Sequence, residues 1–138
     1  MSDGRGQNWY PTSEIGYFTT IVREGISITL GQIELFAPAL EQPYRLDDAT
    51  VEHATRVYEN QRQDQVLFRN QAERWSREVV TPEEKSALAA YVAALDELDR
   101  LTYDVLGMCS TLAEQTIEKL MRKSDLEVGL EALGIILD

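Results

Sequence analysis

TSEIGYFTTIVREGISITLGQIELFAPAL, residues 12–40, is the most apolar stretch of the chain, and its reading decides the fold. Ile15, Phe18, Val22, Ile26, Ile33 and Phe36 recur at three-and-four spacing, which puts them on one side of a helix turning about 100° per residue. Ile21, Ile28 and Leu35 form a second line at seven-residue spacing, well round from the first, so roughly 200° of the circumference is apolar. One neighbouring helix cannot cover that much surface. The competing reading is a strand over Ile26–Leu30, where β-branched residues alternate between Gly25 and Gly31. The unbroken helical rhythm and the lack of a second strand to pair with favour a helix starting near Ser13 and ending at Pro38.

Outward from this stretch, Trp9 and Tyr10 are expected to pin a polar N-terminal arm, residues 1–11, to a single helical domain spanning 12–138. Asp47 and Asp48 open a second helix that meets no proline or glycine until Pro82. Val51, Ala54, Tyr58, Gln61, Gln65, Phe68, Ala72, Trp75 and Val79 give it a heptad seam. The middle of that seam, Asn60 to Gln65, is polar. Either the helix leaves its neighbours there, or it carries Gln61 and Gln65 inside, to fix register or to line a ligand pocket.

Thr81-Pro82-Glu83-Glu84 combines a capping threonine, a first-turn proline and a glutamate three residues after the cap, the strongest helix start in the chain. Leu88, Tyr91, Leu95, Leu98, Thr102, Val105, Cys109 and Leu112 continue a heptad pattern, and the rhythm passes through Gly107 to Leu120, predicting one long helix. Ser124-Asp125-Leu126-Glu127 offers a second capping box for a short C-terminal helix with Leu126, Leu130 and Leu133 on one face. The apolar tail Ile135-Ile136-Leu137 then needs cover. The fold expected is all-α: an antiparallel, coiled-coil-like bundle of three long helices plus a short C-terminal one, in up-down order.

Composition narrows function. Thirteen basic against 24 acidic residues give a net charge of −11, which repels phosphate backbones and anionic membranes, so direct nucleic-acid or membrane binding is not expected. A lone cysteine, no signal-like N-terminus and no eighteen-residue apolar run point to a cytoplasmic protein. The single histidine, His53, has Thr50 rather than an acid three residues before it, so no di-iron carboxylate site is read, and no other metal or cofactor motif stands in the chain. Cys109 falls on an apolar position, as a core thiol would. Asp96, Glu97, Asp99 and Asp104 are dense enough to consider for acid/base work, but their spacing puts most of them opposite the apolar face.

The expected function is therefore non-enzymatic: a homodimeric protein-interaction module acting as an adaptor, an inhibitor or an immunity- or antitoxin-like factor, its partner being itself or a protein with a basic surface. The expected contact residues are Ile21, Ile28, Leu35, Ile135, Ile136 and Leu137. The alternative is a small-molecule-binding bundle with a polar pocket of Tyr58, Gln61, Arg62 and Gln65 facing Thr102 or Tyr103.

Overall fold

The computed structural model describes residues 9–42 and 45–132. A turn of 3₁₀-helix, Thr12–Glu14, leads into α1 (Ile15–Glu41), followed by α2 (Asp48–Glu78), α3 (Pro82–Ala113) and α4 (Ile117–Ala132). The described residues form an all-α bundle without strands. α1, α2 and α3 run up, down and up. The start of α1 meets the end of α2 and the start of α3 around Ile15, Trp75 and Tyr91, while its end meets the start of α2 and the end of α3 around Phe36, Val51 and Leu112.

Ile26–Leu30 is helical, and the threonines nearby show how β-branched residues are accommodated. Thr19, Thr20 and Thr29 donate their hydroxyls back to the carbonyls of Ile15, Gly16 and Gly25 at 2.8, 3.2 and 2.7 Å, so each polar group is satisfied within its own helix. Contrary to the expected end at Pro38, α1 carries that proline inside and ends at Glu41. Proline there removes the bond to the Glu34 carbonyl. Phe36 and Ala39, on either side, are buried in the core, and that packing keeps the turn helical.

α2 starts where expected: Asp47 caps it, accepting from the Thr50 N–H at 2.8 Å. The Thr81 capping box is complete. The Thr81 hydroxyl accepts from the Glu84 N–H at 3.1 Å, and Glu84 Oε1 accepts from the N–H groups of Thr81 and Val80 at 3.0 Å.

The central helix is α3, on which α1 and α2 both pack. Its buried residues include Tyr91, Leu95, Leu98, Thr102, Val105, Cys109 and Leu112, flanked by Leu88, Ala94 and Leu101. That is wide enough to serve two neighbours. α1 is thus an outer helix, with its main apolar stripe inside and the rest of its circumference turned outward.

One long helix to Leu120 was expected after Pro82, but α3 ends at Ala113 and the chain breaks over residues 114–116. The break is held from far away in sequence. Thr116 is fully buried and donates its hydroxyl to Asp48 Oδ1 at 2.5 Å, and the Ile117 N–H donates to the Leu46 carbonyl at 3.0 Å. α4 therefore begins at Ile117, and Ser124 lies inside it rather than capping a new helix. Lys119 and Arg122 reach Asp48 at 3.1 and 3.6 Å, and Asp48 N–H donates to Glu118 at 2.5 Å. The Thr116 hydroxyl and the Lys119 ammonium lower the Asp48 carboxyl below its ordinary range.

Candidate functional site

Two parts of the molecule are candidates, and the first is the polar middle of α2. Gln61 and Gln65 stay inside the bundle. Gln61 donates both amide hydrogens, to Thr29 Oγ1 on α1 at 3.2 Å and to Thr102 Oγ1 on α3 at 2.8 Å. Gln65 donates to the same Thr102 oxygen at 2.7 Å, and Thr102 passes its own hydrogen to the Leu98 carbonyl at 2.7 Å. Thr102 is thereby saturated: two bonds accepted, one donated. This layer ties three helices together and separates two apolar clusters, one built on Ile15, Val22, Trp75, Tyr91 and Leu95 and the other on Phe36, Val51, Tyr58, Val105 and Leu112.

The expected ligand pocket is only partly assembled. Gln61, Gln65 and Thr102 meet as anticipated, but Tyr58 is buried in the second apolar cluster. Burial pushes its hydroxyl above the ordinary tyrosine range, against the pull of the adjacent Thr29. Arg62 points away from the layer, with 62% of its side chain exposed and Glu59 at 3.8 Å. It lines an open groove of about 290 Å³ between α2 and α3, together with Gln65, Val66, Arg69, Asp99 and Tyr103. Gln65 belongs to both places. Arg69 on the groove wall is held by Asp99 at 2.5 Å and Asp96 at 2.6 Å. Burial works against its charge, but the two carboxylates outweigh it and push the guanidinium pKa up.

Asp96 and Asp99 are thus taken up by Arg69, and Glu97 and Asp104 by Arg100 at 2.7 and 3.5 Å. They are structural ion pairs on a solvated face. His53 is exposed. Cys109 is buried, and burial raises its thiol pKa above the ordinary value. No group of three or more metal-ligating side chains exists among the described residues, and no described helix is long and apolar enough to cross a membrane.

The second candidate is the outward face of α1. Tyr17, Ile28 and Leu35 are 63, 68 and 74% exposed, and Ile21, at the edge of the row, is half-buried. Because 3.6 residues make a turn, Tyr17, Ile21, Ile28 and Leu35 stand within about 40° of one another around the helix. Beside them run Gly16, Thr20, Ser27 and Gly31, all exposed. A Cβ added at Gly16 or Gly31 would meet nothing within 4 Å. In the whole of α1 only Arg23, Glu24, Glu34 and Glu41 are charged. Ile135, Ile136 and Leu137, the other expected contact residues, lie outside the described residues.

Sequence reading missed Gln71, which is buried and holds the incoming arm. Its Oε1 accepts from the Tyr10 N–H at 3.0 Å, and its amide and the Trp75 indole donate to the Tyr10 carbonyl at 3.3 and 2.8 Å. Trp9 and Tyr10 make the expected contacts with the bundle, the Tyr10 ring 4.8 Å from Phe18 and Arg74 5.0 Å above Trp9, while residues 1–8 of the expected arm lie outside the described residues. Gln71 sits next to Ala72 but off the heptad seam, so no signal in α2 alone marks it.

No protein-family model, no curated protein and no solved structure matches this chain.

Proposed function

We propose that the chain is a non-enzymatic protein-interaction module, acting as an adaptor or inhibitor, whose contact surface is the outward face of α1. The observation that carries this reading is the row Tyr17, Ile28 and Leu35, each more than 60% exposed on a helix whose other side already fills the core. Leaving three large apolar side chains in water on one helix face costs solubility without helping the fold, and contiguous patches of this kind mark interaction sites. The acidity of the rest of the molecule sharpens the contrast. At a net charge of −11, α1 offers the surface on which another protein can be desolvated with few charges to strip.

The test compares the wild type with Ile28→Glu combined with Leu35→Glu, by light scattering for mass and by thermal unfolding for stability. Both positions are exposed, so the fold should persist within about 1 kcal/mol while association is lost. A chain whose mass and solubility ignore both substitutions would remove the reading.

A second reading rests on the groove between α2 and α3. Arg62, the outer edge of Gln65 and Tyr103 could hold a small carboxylate with a planar body, the arginine taking the charge and the tyrosine the ring face. Native mass spectrometry of the purified chain, with and without Arg62→Ala, tests it: a co-purifying mass that disappears in the variant supports this reading.

A further inference from the structure

We infer that the occupant of the α1 face is a second copy of the same helix, packed antiparallel about a two-fold axis between Ile28 and Thr29, with Arg23 of each copy against Glu34 of the other. This rests on the interaction-module reading above and adds the identity and direction of the partner.

The argument begins with charge. Arg23 and Glu34 are both exposed, and the ion pairs among the described residues, which all lie on α2, α3 and α4, include neither. They stand 11 residues apart, about three turns, which returns them to the same flank of α1, within about 20°. Two charges on one flank face each other across a helix pair only when the helices are antiparallel; in a parallel pair each flank meets the opposite one. The two-fold operation that sets Arg23 against Glu34 also sets Glu34 against Arg23, so both unpaired charges find partners in one contact, as an isologous interface requires.

Size agrees with charge. In this register Ile28 of each copy, next to the axis, lies beside Ser27 and Gly31 of the other, and the open space over Gly31 leaves room for it. Leu35 falls over Thr20 and Glu24 of the other copy, again large against smaller. Glu24 is the one acid near the middle of the face. The register separates it from its counterpart by nine residues along the axis, about 13 Å, beyond the screening length of roughly 8 Å at physiological salt. Two chains of −11 each repel over most of their surface; a face whose acids are either paired or kept apart is where they can meet.

Sedimentation equilibrium of the intact chain up to about 100 μM, a range that resolves micromolar dimers, tests the inference with Arg23→Glu, Glu34→Arg, the double exchange and Ile28→Glu. The wild type should dimerise and Ile28→Glu should not. Each single reversal turns two attractive contacts into two repulsive ones and should weaken the dimer about tenfold, and the double exchange should restore it to within about threefold. A dimer that Ile28→Glu abolishes but neither reversal weakens would overturn the antiparallel register and leave the interaction face standing. A wild type that stays monomeric throughout the range would overturn the second copy as occupant, and the reading of α1 as a contact face would then stand or fall on its effect on solubility and on association with other proteins.

Discussion

Gln65 on α2 and Thr102 on α3 meet at 2.7 Å, and the same threonine oxygen takes a second amide from Gln61 at 2.8 Å while its hydrogen goes to Leu98. One small hydroxyl thus satisfies two side chains from a neighbouring helix inside the core. A buried donor that loses its acceptor keeps its desolvation cost, about 1–3 kcal/mol, whereas removing all members of a network together can be neutral. Thr102→Val should therefore destabilise the protein by about 2–4 kcal/mol, because two amides are stranded. The triple change Thr102→Val, Gln61→Leu, Gln65→Leu should recover most of that loss. Urea midpoints of the two variants decide it, and a triple variant as weak as the single one would refute the network account.

Glu84 gives stability a specific acid limit. Its carboxylate accepts from the backbone of Thr81 and Val80 and from the Thr12 hydroxyl at 2.9 Å, which holds its pKa at about 2 against an ordinary 4.5. A carboxylate depressed in the folded state contributes stability that is fully present above the unfolded pKa and is lost as pH falls through the folded one. Unfolding midpoints of the wild type should fall between pH 4.5 and pH 2. Glu84→Gln should lower the midpoint at pH 7 and flatten that slope; equal slopes for the two proteins would contradict the assignment.

Trp75 is fully buried, 5.2 Å from the Tyr91 ring and 5.6 Å from Phe18, and donates to the Tyr10 carbonyl. Trp75→Phe keeps an aromatic ring but removes the indole donor and leaves space, at a cost of about 1–3 kcal/mol. Limited proteolysis should then cut on the N-terminal side of Pro11 faster than in the wild type, since the Tyr10 backbone keeps only its bonds to Gln71 and its ring the contact with Phe18.

Gly107 sits in the interior of α3 with nothing within 4 Å of a would-be Cβ. Alanine there should raise stability by about 0.5–1 kcal/mol through helix propensity alone. A thermal midpoint that falls instead would mean that the helix needs the glycine.

Ion pairs secure α4 to the start of α2, through Lys119 and Arg122 on Asp48. Pairs this exposed are weakened by salt. Asp48→Ala should loosen α4 without unfolding the bundle, which circular dichroism would register as a partial loss of helix while the cooperative transition of the rest is kept.

Three local signals of the sequence translated directly, while a fourth, the capping box at Ser124, falls inside α4. The Thr81 capping box, the Asp47 cap and the heptad seams of α2 and α3 are short-range patterns, and each produced its element. What failed depended on distant residues. The break over 114–116 is made by Asp48 and Leu46, some seventy residues earlier, so the apolar rhythm of Val105, Cys109 and Leu112 ran on past it unmarked. Pro38 stays helical because Phe36 and Ala39 are buried by α2 and α3, which a propensity argument cannot weigh. The central place of α3 is written in its two buried rows, but alanines at 87, 89, 90, 93 and 94 blur them, and α1 carries the more apolar sequence. In the candidate pocket, Gln61 and Gln65 are legible as exceptions to an apolar seam, whereas nothing local marks that Tyr58 packs into the apolar cluster with its hydroxyl beside Thr29, or that Arg62 turns out to solvent beside Glu59.

The amide–hydroxyl layer at Thr102 also bears on how the molecule opens. Apolar contact is interrupted there, so the two ends of the bundle need not loosen together. The end holding Phe18, Phe68, Trp75 and Tyr91 is knit by aromatic rings packed edge to face, whereas the end holding Val51, Val105 and Leu112 leans on aliphatic packing with Phe36 and Tyr58. Amide exchange in native conditions should then fall into two tiers, slowest around Phe68–Trp75 and Leu88–Leu98 and faster beyond Val105. The glutamines that look like a flaw in a hydrophobic seam would be the seam's dividing line, allowing one half of the protein to breathe while the other stays shut.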